Sequence, residues 1–270
     1  MLQLFCALPC EAKPIIASYG LRNILHHPFQ VYEKGQLRVV VTGLGKQSMV
    51  AAVAYVYGRF DLPAHTANLN VGIAGHYDAP LGATVLINKI VDKAIATSMY
   101  PVRVFSYAGR TGLLETRDSP CHEYQPIVYY DMEASGYFLT ATRFSPAELV
   151  HCFKVVSDNK DHTAEQIDKN FVASLINDSL PQIDELIQQL LAVQQQLAES
   201  EQMPQELAVL LTQWKFSHYQ RKQLVRILQR WQAFFPTSSV RDALSDHAVK
   251  SASEVMRHLE QKLKNLPGLL

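Results

Sequence analysis

Long apolar runs are what this chain of 270 residues most plainly lacks. No stretch approaches the roughly 20 apolar residues that span a bilayer. Met49–Tyr57 and Thr84–Ile90 have core-element lengths and polar flanks. The start, Met1-Leu2-Gln3-Leu4-Phe5, has neither a basic lead nor a small-residue cleavage site, so no signal peptide is read there. Cysteine is scarce: Cys6, Cys10, Cys121 and Cys152 form no CxxC pair and no Cys/His zinc pattern. So few cysteines predict free thiols in a cytoplasmic protein, with no disulfide scaffold and no metal. Net charge is absent too, since Lys+Arg and Asp+Glu both total 25. That balance argues against a nucleic-acid partner or an acidic membrane surface. The one bias is in the tail, where 10 basic residues face 6 acidic ones from Glu201 onward.

What is present is enough apolar material, 48% of the chain, for a sizeable core. Residues 1–160 alternate β-like and helical runs. Strands are expected at Gln3–Ala7, Leu37–Thr42, Thr66–Val71, Thr84–Val91, Pro126–Tyr130 and Leu149–Val156. Helices are expected at Glu11–Tyr19, at Gln47–Phe60 and from Met132. This alternation predicts an α/β fold around a largely buried sheet. Beyond Ser157-Asp158 the pattern turns helical. Thr163 with Gln166 reads as a capping box, and Pro181 suits the first turn of a helix bearing Ile183, Leu186, Ile187, Leu190 and Leu191. Residues 193–205 read as a helix end and linker, followed by helices at 205–214, 217–234 and 241–265, with Pro236-Thr237-Ser238-Ser239 between the last two. The expected division is an α/β domain over 1–200 and a helical extension over 201–270.

Gly43-Leu44-Gly45 follows a strand but lacks the third glycine and the distal acid of a dinucleotide site, so a packing turn is expected. Gly72-Ile73-Ala74-Gly75 reads as a second strand-end turn, where backbone amides such as those of Ala74 and Gly75 can face a ligand. Three acids also stand after strands: Glu11, Glu133 and Asp158. Each has a purely structural reading as a cap or first-turn residue. Ligands of α/β sheets gather beyond strand ends, which makes one shared pocket the sharper expectation.

At these positions residues 1–195 resemble the nucleoside phosphorylase / methylthioadenosine–adenosylhomocysteine nucleosidase superfamily. Ala7–Glu11 resembles its first loop, and Thr42-Gly43-Leu44-Gly45-Lys46 its Ser-Gly-Ile-Gly-Lys turn. Asn70-Val71-Gly72-Ile73-Ala74-Gly75 resembles Asn-Thr-Gly-Ser-Ala-Gly, with Gly82 where the family keeps a glycine. Met132-Glu133-Ala134 matches Met-Glu-Ala, and Val156-Ser157-Asp158 matches Ile-Ser-Asp. The resemblance implies a three-layer fold with a central mixed sheet flanked by helices, and cleavage of a purine-nucleoside N-glycosidic bond. It implies Asp158 as the acid that protonates purine N7 and Glu11 as the residue that orients water. Glu133 would hold the ribose hydroxyls and Met132 pack on the sugar, with Ala74, Gly75, His76, Cys121 and Ser157 as further substrate contacts. No cofactor is implied beyond phosphate as a possible co-substrate, and the family precedent is a homo-oligomer, a dimer.

Several positions depart from the pattern. Asn70 stands where phosphorylases carry an arginine for phosphate, and Ile73 where a hydroxyl is usual. With Glu11, these favour hydrolysis over phosphorolysis. His76 and Tyr77 replace smaller residues, so that His76 becomes a candidate anion contact. Pro120 stands where an aromatic residue often stacks on the base, in Asp118-Ser119-Pro120-Cys121. The alternatives are a phosphorylase using phosphate, and a catalytically weakened relative acting as a nucleoside-binding or regulatory protein through its helical tail. Lys215, His218, Lys222, Arg226 and Arg230 recur there at helical spacings.

Overall fold

The computed structural model describes residues 1–121, 123–200, 204–235, 237–245 and 249–264. The chain divides into two compact units, Met1–Gln195 and Gln196–Leu270.

In the first unit the strands are β1 (Leu2–Cys6), β2 (Arg22–Leu25), β3 (Gln30–Lys34), β4 (Leu37–Val41), β5 (Ala67–His76), β6 (Thr84–Asp92), β7 (Thr97–Met99), β8 (Thr111–Thr116), β9 (Val128–Asp131) and β10 (Val150–Asp158). The helices are α1 (Pro9–Tyr19), α2 (Lys46–Arg59), α3 (Ala134–Ala141), α4 (Lys169–Asp178) and α5 (Leu180–Ser200), the last crossing the division between the units. All ten strands join in one mixed sheet. Five of them close on themselves: β5 pairs with β9, β9 with β8, β8 with β6, β6 with β10, and β10 again with β5. From this ring β1 and β4 continue in parallel, and the antiparallel β3 and β2 finish the edge. Helix α2 packs with α3, and α1 with α4. Every residue of β1 and β10 is buried, as expected where helices cover both faces of a sheet. The result is the mixed α/β architecture that the alternating pattern predicts, with helices following in the second unit.

Several expectations need correction. The strand expected to stop at Val71 continues as β5 through Gly72, Ile73, Ala74 and Gly75 to His76. β10 lies in parallel register beside it from Asn68 to Gly75, and that ladder satisfies the backbone a turn would have exposed. The short strands β2, β3, β7 and β8 were not foreseen, because their half-exposed, mixed-polarity runs carry little apolar signal. The expected capping box of Thr163 and Gln166 is present, with Thr163 N donating to Gln166 Oε1 at 3.1 Å, but it heads a single 3-10 turn. The following helix is instead capped by Asp168, whose Oδ1 accepts from Asn170 N and Phe171 N at 2.7 and 2.8 Å. Helix α3 starts at Ala134, two residues after the expected Met132. Helix α5 runs to Ser200, through most of the expected linker.

The second unit contains α6 (Gln205–Gln213), α7 (His218–Phe234), α8 (Val240–Ser245) and α9 (Ala252–Lys264). They bury their own core, including Leu210, Leu224, Leu228, Trp231, Val255 and Leu259. The single helix expected over 241–265 is therefore two, α8 and α9; its residues 246–248 and 265 lie outside the described residues, as do Pro236 and linker residues 201–203. No described helix is long and apolar enough to cross a membrane.

Candidate active site

Glu11, Glu133 and Asp158 line one cavity of about 290 Å³, together with Ile73, Ala74, Gly75, Cys121, Met132 and Ser157. The three acids reach it by different routes. β1, β4, β5 and β10 run parallel, and two of them deliver Glu11 and Asp158 from their carboxyl ends. β9 runs antiparallel to β5, pairing Tyr130 with Gly75, so Glu133 arrives from the opposite direction.

Glu11 is not the surface acid that a first-turn position suggests. It is buried in the first turn of α1, where Oε2 accepts from Leu8 N at 2.8 Å and Oε1 from Ile73 N at 3.0 Å. One oxygen thus satisfies an orphan amide of the helix, and the other ties the helix to β5. This reach requires Gly72, since a Cβ there would stand 2.9 Å from Glu11 Oε1 and 3.4 Å from Lys154 Nζ. Burial raises the Glu11 pKa, against the pull of the Leu8 amide and of Lys154.

Glu133 is fixed through the glycine turn after β4. Gly45, at φ +88°, points its amide at Glu133 Oε1 at 2.7 Å, and Met132 N donates to Oε2 at 3.3 Å. That backbone angle is one an L side chain rarely takes, which explains the second glycine of Gly43-Leu44-Gly45. Burial and the neighbouring Asp131 push the Glu133 pKa up to about 7, with Lys154 and the Gly45 amide opposing.

Behind these acids lies a pair that the sequence reading left without a role. Lys154 and Asp131, both nearly inaccessible, form an ion pair at 2.9 Å (Nζ to Oδ2). Asp131 also accepts from Thr116 Oγ1 at 2.7 Å and from Ala134 N at 2.9 Å. Burial works against the Lys154 ammonium, but Asp131, Glu133 and Glu11 together keep its pKa above the ordinary lysine value. The signal was there to be read: a lysine inside the apolar run Val150–Val156 must be paired.

Asp158 closes the other end. Ser157 Oγ donates to its Oδ1 and the Tyr124 hydroxyl to its Oδ2. Gly75 leaves room for both, since a Cβ there would stand 2.5 Å from Asp158 Oδ2 and 2.7 Å from Tyr124 Cε1. Tyr124 also went unassigned; it comes from an irregular loop with no periodic signal. Cys121 sits beside it, its thiol pKa raised by burial and its Sγ donating to Glu123 O at 3.2 Å. Pro120 lines the cavity as well.

One expected contact, His76, lies elsewhere, and so does Asn70. His76 does not line the cavity: its Nδ1 accepts from Asp78 N at 3.2 Å and Ala79 N at 3.0 Å, and its ring tilts on Tyr129. It fastens the turn after β5, and burial lowers its pKa. Asn70 is a core residue whose Nδ2 donates to Phe5 O at 2.9 Å, bracing β5 against β1. It is not at the cavity, so its difference from arginine says nothing about the cavity wall directly. The wall itself is more informative. Its described lining includes the carboxylates of Glu11, Glu133 and Asp158, with the Asp131 carboxylate held behind them on Lys154, and no lysine, arginine or histidine. Among the described residues, no group of three or more His, Cys, Asp or Glu could hold a metal ion. A second cavity of about 240 Å³ shares Leu8, Ile73 and Ile167 with the first and adds Pro9, Cys10, Asp168, Lys169 and Val172.

No protein-family model matches the chain, and no curated protein matches it. Solved structures do. A methylthioadenosine nucleosidase mutant from Helicobacter pylori, with 5′-methylthioadenosine in its active site, is 14% identical at a TM-score of 0.56, covering 70% of this chain and 98% of that one. The 5′-methylthioadenosine/S-adenosylhomocysteine nucleosidase of S. pneumoniae, with a transition-state inhibitor, is 15% identical at 0.53, covering 67% and 95%. Futalosine hydrolase of H. pylori strain 26695 is 13% identical at 0.55, covering 70% and 97%. Over the matched part, this chain has the fold of these nucleosidases and of futalosine hydrolase.

Proposed function

We propose that this protein hydrolyses the N-glycosidic bond of a purine nucleoside. The observation that carries the reading is the convergence of Glu11, Glu133 and Asp158 on one cavity whose described lining holds no cationic side chain. Breaking the bond builds positive charge on the ribose and negative charge on the leaving base. A wall of carboxylates favours the first, and an acid at the base end serves the second. Asp158 protonates the purine at N7. Glu133, held by the Gly45 amide, accepts from the ribose hydroxyls, and Met132 packs on the sugar. Glu11, its two oxygens oriented by Leu8 N and Ile73 N, orients and deprotonates water.

The same wall argues against phosphate as the nucleophile. A phosphate dianion would be desolvated beside Glu11, Glu133 and Asp158 with no cationic side chain in the described lining, a costly burial. Lys154 cannot serve, because it lies behind the wall on Asp131. The second cavity adjoins the Glu11 end through Leu8 and Ile73, and the apolar part of its wall, Leu8, Pro9, Ile73, Ile167 and Val172, favours a nucleoside whose 5′ end carries an apolar group. Incubation with purine nucleosides, with and without an apolar 5′ substituent, should release free base without added phosphate. Absence of base from every substrate would refute the reading.

A further inference from the structure

Asp158 Oδ2 has a partner at the place where the proposed chemistry needs the purine. The Tyr124 hydroxyl donates to it, and the ring lies over Gly75, within 2.7 Å of where a Cβ would stand. Gly75, Tyr124 and Asp158 all line the cavity, so the phenol occupies space that the base edge must enter to reach the acid. Burial and Asp158 itself raise the Tyr124 pKa, so the phenol keeps its proton and remains the donor.

The segment carrying Tyr124 is fastened lightly. At its start Asp118 Oδ1 meets Lys46 Nζ at 2.8 Å, and at its end Gln125 N donates to Tyr130 OH at 3.1 Å. Between them Glu123, Gln125, Pro126 and Ile127 are exposed, Ile127 being 81% exposed with φ +66°. A β-branched residue in that region is held against its own preference. Tyr124, half-buried, reaches Asp158 from the middle of this segment, its ring also tilted on Tyr130. On the other side of Asp158, Ser157 satisfies Oδ1 from within β10, at the register shift between the paired Val156 and Asp158. One hydrogen bond of the acid is therefore built into the sheet, and the other hangs from a loop.

We infer that Tyr124 is a displaceable positioning residue whose phenol and the purine edge compete for Asp158 Oδ2. The inference rests on the nucleosidase reading above. It makes the Tyr124 hydrogen bond a cost of binding: substrate and product base must exchange it for their own. Removing the hydroxyl while keeping the ring takes away that cost. A net hydrogen-bond contribution of about 1 kcal/mol corresponds to a change of roughly threefold to tenfold in affinity.

The test is Tyr124→Phe, with calorimetric binding of adenine and steady-state kinetics on the best nucleoside. Adenine should bind the variant threefold to tenfold more tightly than wild type, and the gain in turnover should fall in KM rather than kcat. A merely structural role would loosen binding. Unchanged or weaker adenine binding, or a loss confined to kcat, overturns the exchange. A double-mutant cycle on stability with Asp158→Asn checks the contact without any ligand; additive effects would overturn it as well. Failure of the nucleosidase reading looks different: wild type would release no base and bind no adenine, and the exchange would fall with it.

Discussion

The two ends of the cavity are built by different means. At the Glu11 and Glu133 end, both carboxylates take backbone amides from strands or turns, and a buried Lys154–Asp131 pair sits beneath them. At the Asp158 end, the acid shares its oxygens between a strand serine and a loop tyrosine, and the neighbouring wall is Pro120 and Cys121 from that same loop. The first end is part of the fold, so its geometry is held by the forces that hold the sheet. The second end hangs in part from a loop. On the proposed reading, sugar recognition sits on the side held by the sheet, and recognition of the base, which must both enter and leave, on the side held partly by the loop.

The largest expected effects separate these ends. Lys154→Met should leave Asp131 buried and uncompensated, costing about 3–5 kcal/mol in urea unfolding. Asp158→Asn should leave unfolding nearly unchanged while base release falls by roughly 10²–10⁴-fold. If Lys154→Met were as stable as wild type, the rigid end would not be rigid for the reason given. The next test uses the two close glycines. Gly72→Ala puts a Cβ against Glu11, whose oxygens are both held by amides, so stability should fall by about 1–3 kcal/mol. Gly75→Ala meets Asp158 and the far part of the Tyr124 ring, which can swing away; activity should suffer more than stability. Equal stability losses at both positions would remove the contrast.

The smallest effect is a pH dependence at Glu133. Its pKa in the folded protein is raised to about 7 from 4.5, so the folded state holds a proton that the unfolded chain would release between those values. Its contribution to stability is present below about pH 4.5 and is lost as pH rises through 7. Ribose binding needs the ionised form, so kcat/KM should climb over the same window in which stability falls. Glu133→Gln should flatten both curves, and a climb that survives the substitution would assign it to another group.

Much of this contrast could be read from the chain, and the remainder for definite reasons. The apolar strands β1, β4 and β10 and the amphipathic α2 announce themselves by pattern, and Glu11, Glu133 and Asp158 by standing after strands. β8 escaped because Thr111, Glu115 and Thr116 dilute its apolar signal while the closed ring of strands stabilises it from outside. The break at Gly72 was misread because glycine next to a strand usually marks a turn. Here it marks the close approach of Glu11 and Lys154 instead. His76 looked like a site residue, but two turn amides claim its free ring nitrogen. Tyr124 had no local signal at all, since its role exists only through Asp158, 34 residues away.

The absence of a cationic side chain from the cavity's described lining is the central claim, and the sugar product tests it most directly. With phosphate present and a purine nucleoside turning over, phosphorus NMR should show no new signal while free base accumulates, because the sugar leaves as ribose. A sugar-phosphate signal growing in step with free base would contradict the account, since phosphate would then be held by residues that the described wall does not contain.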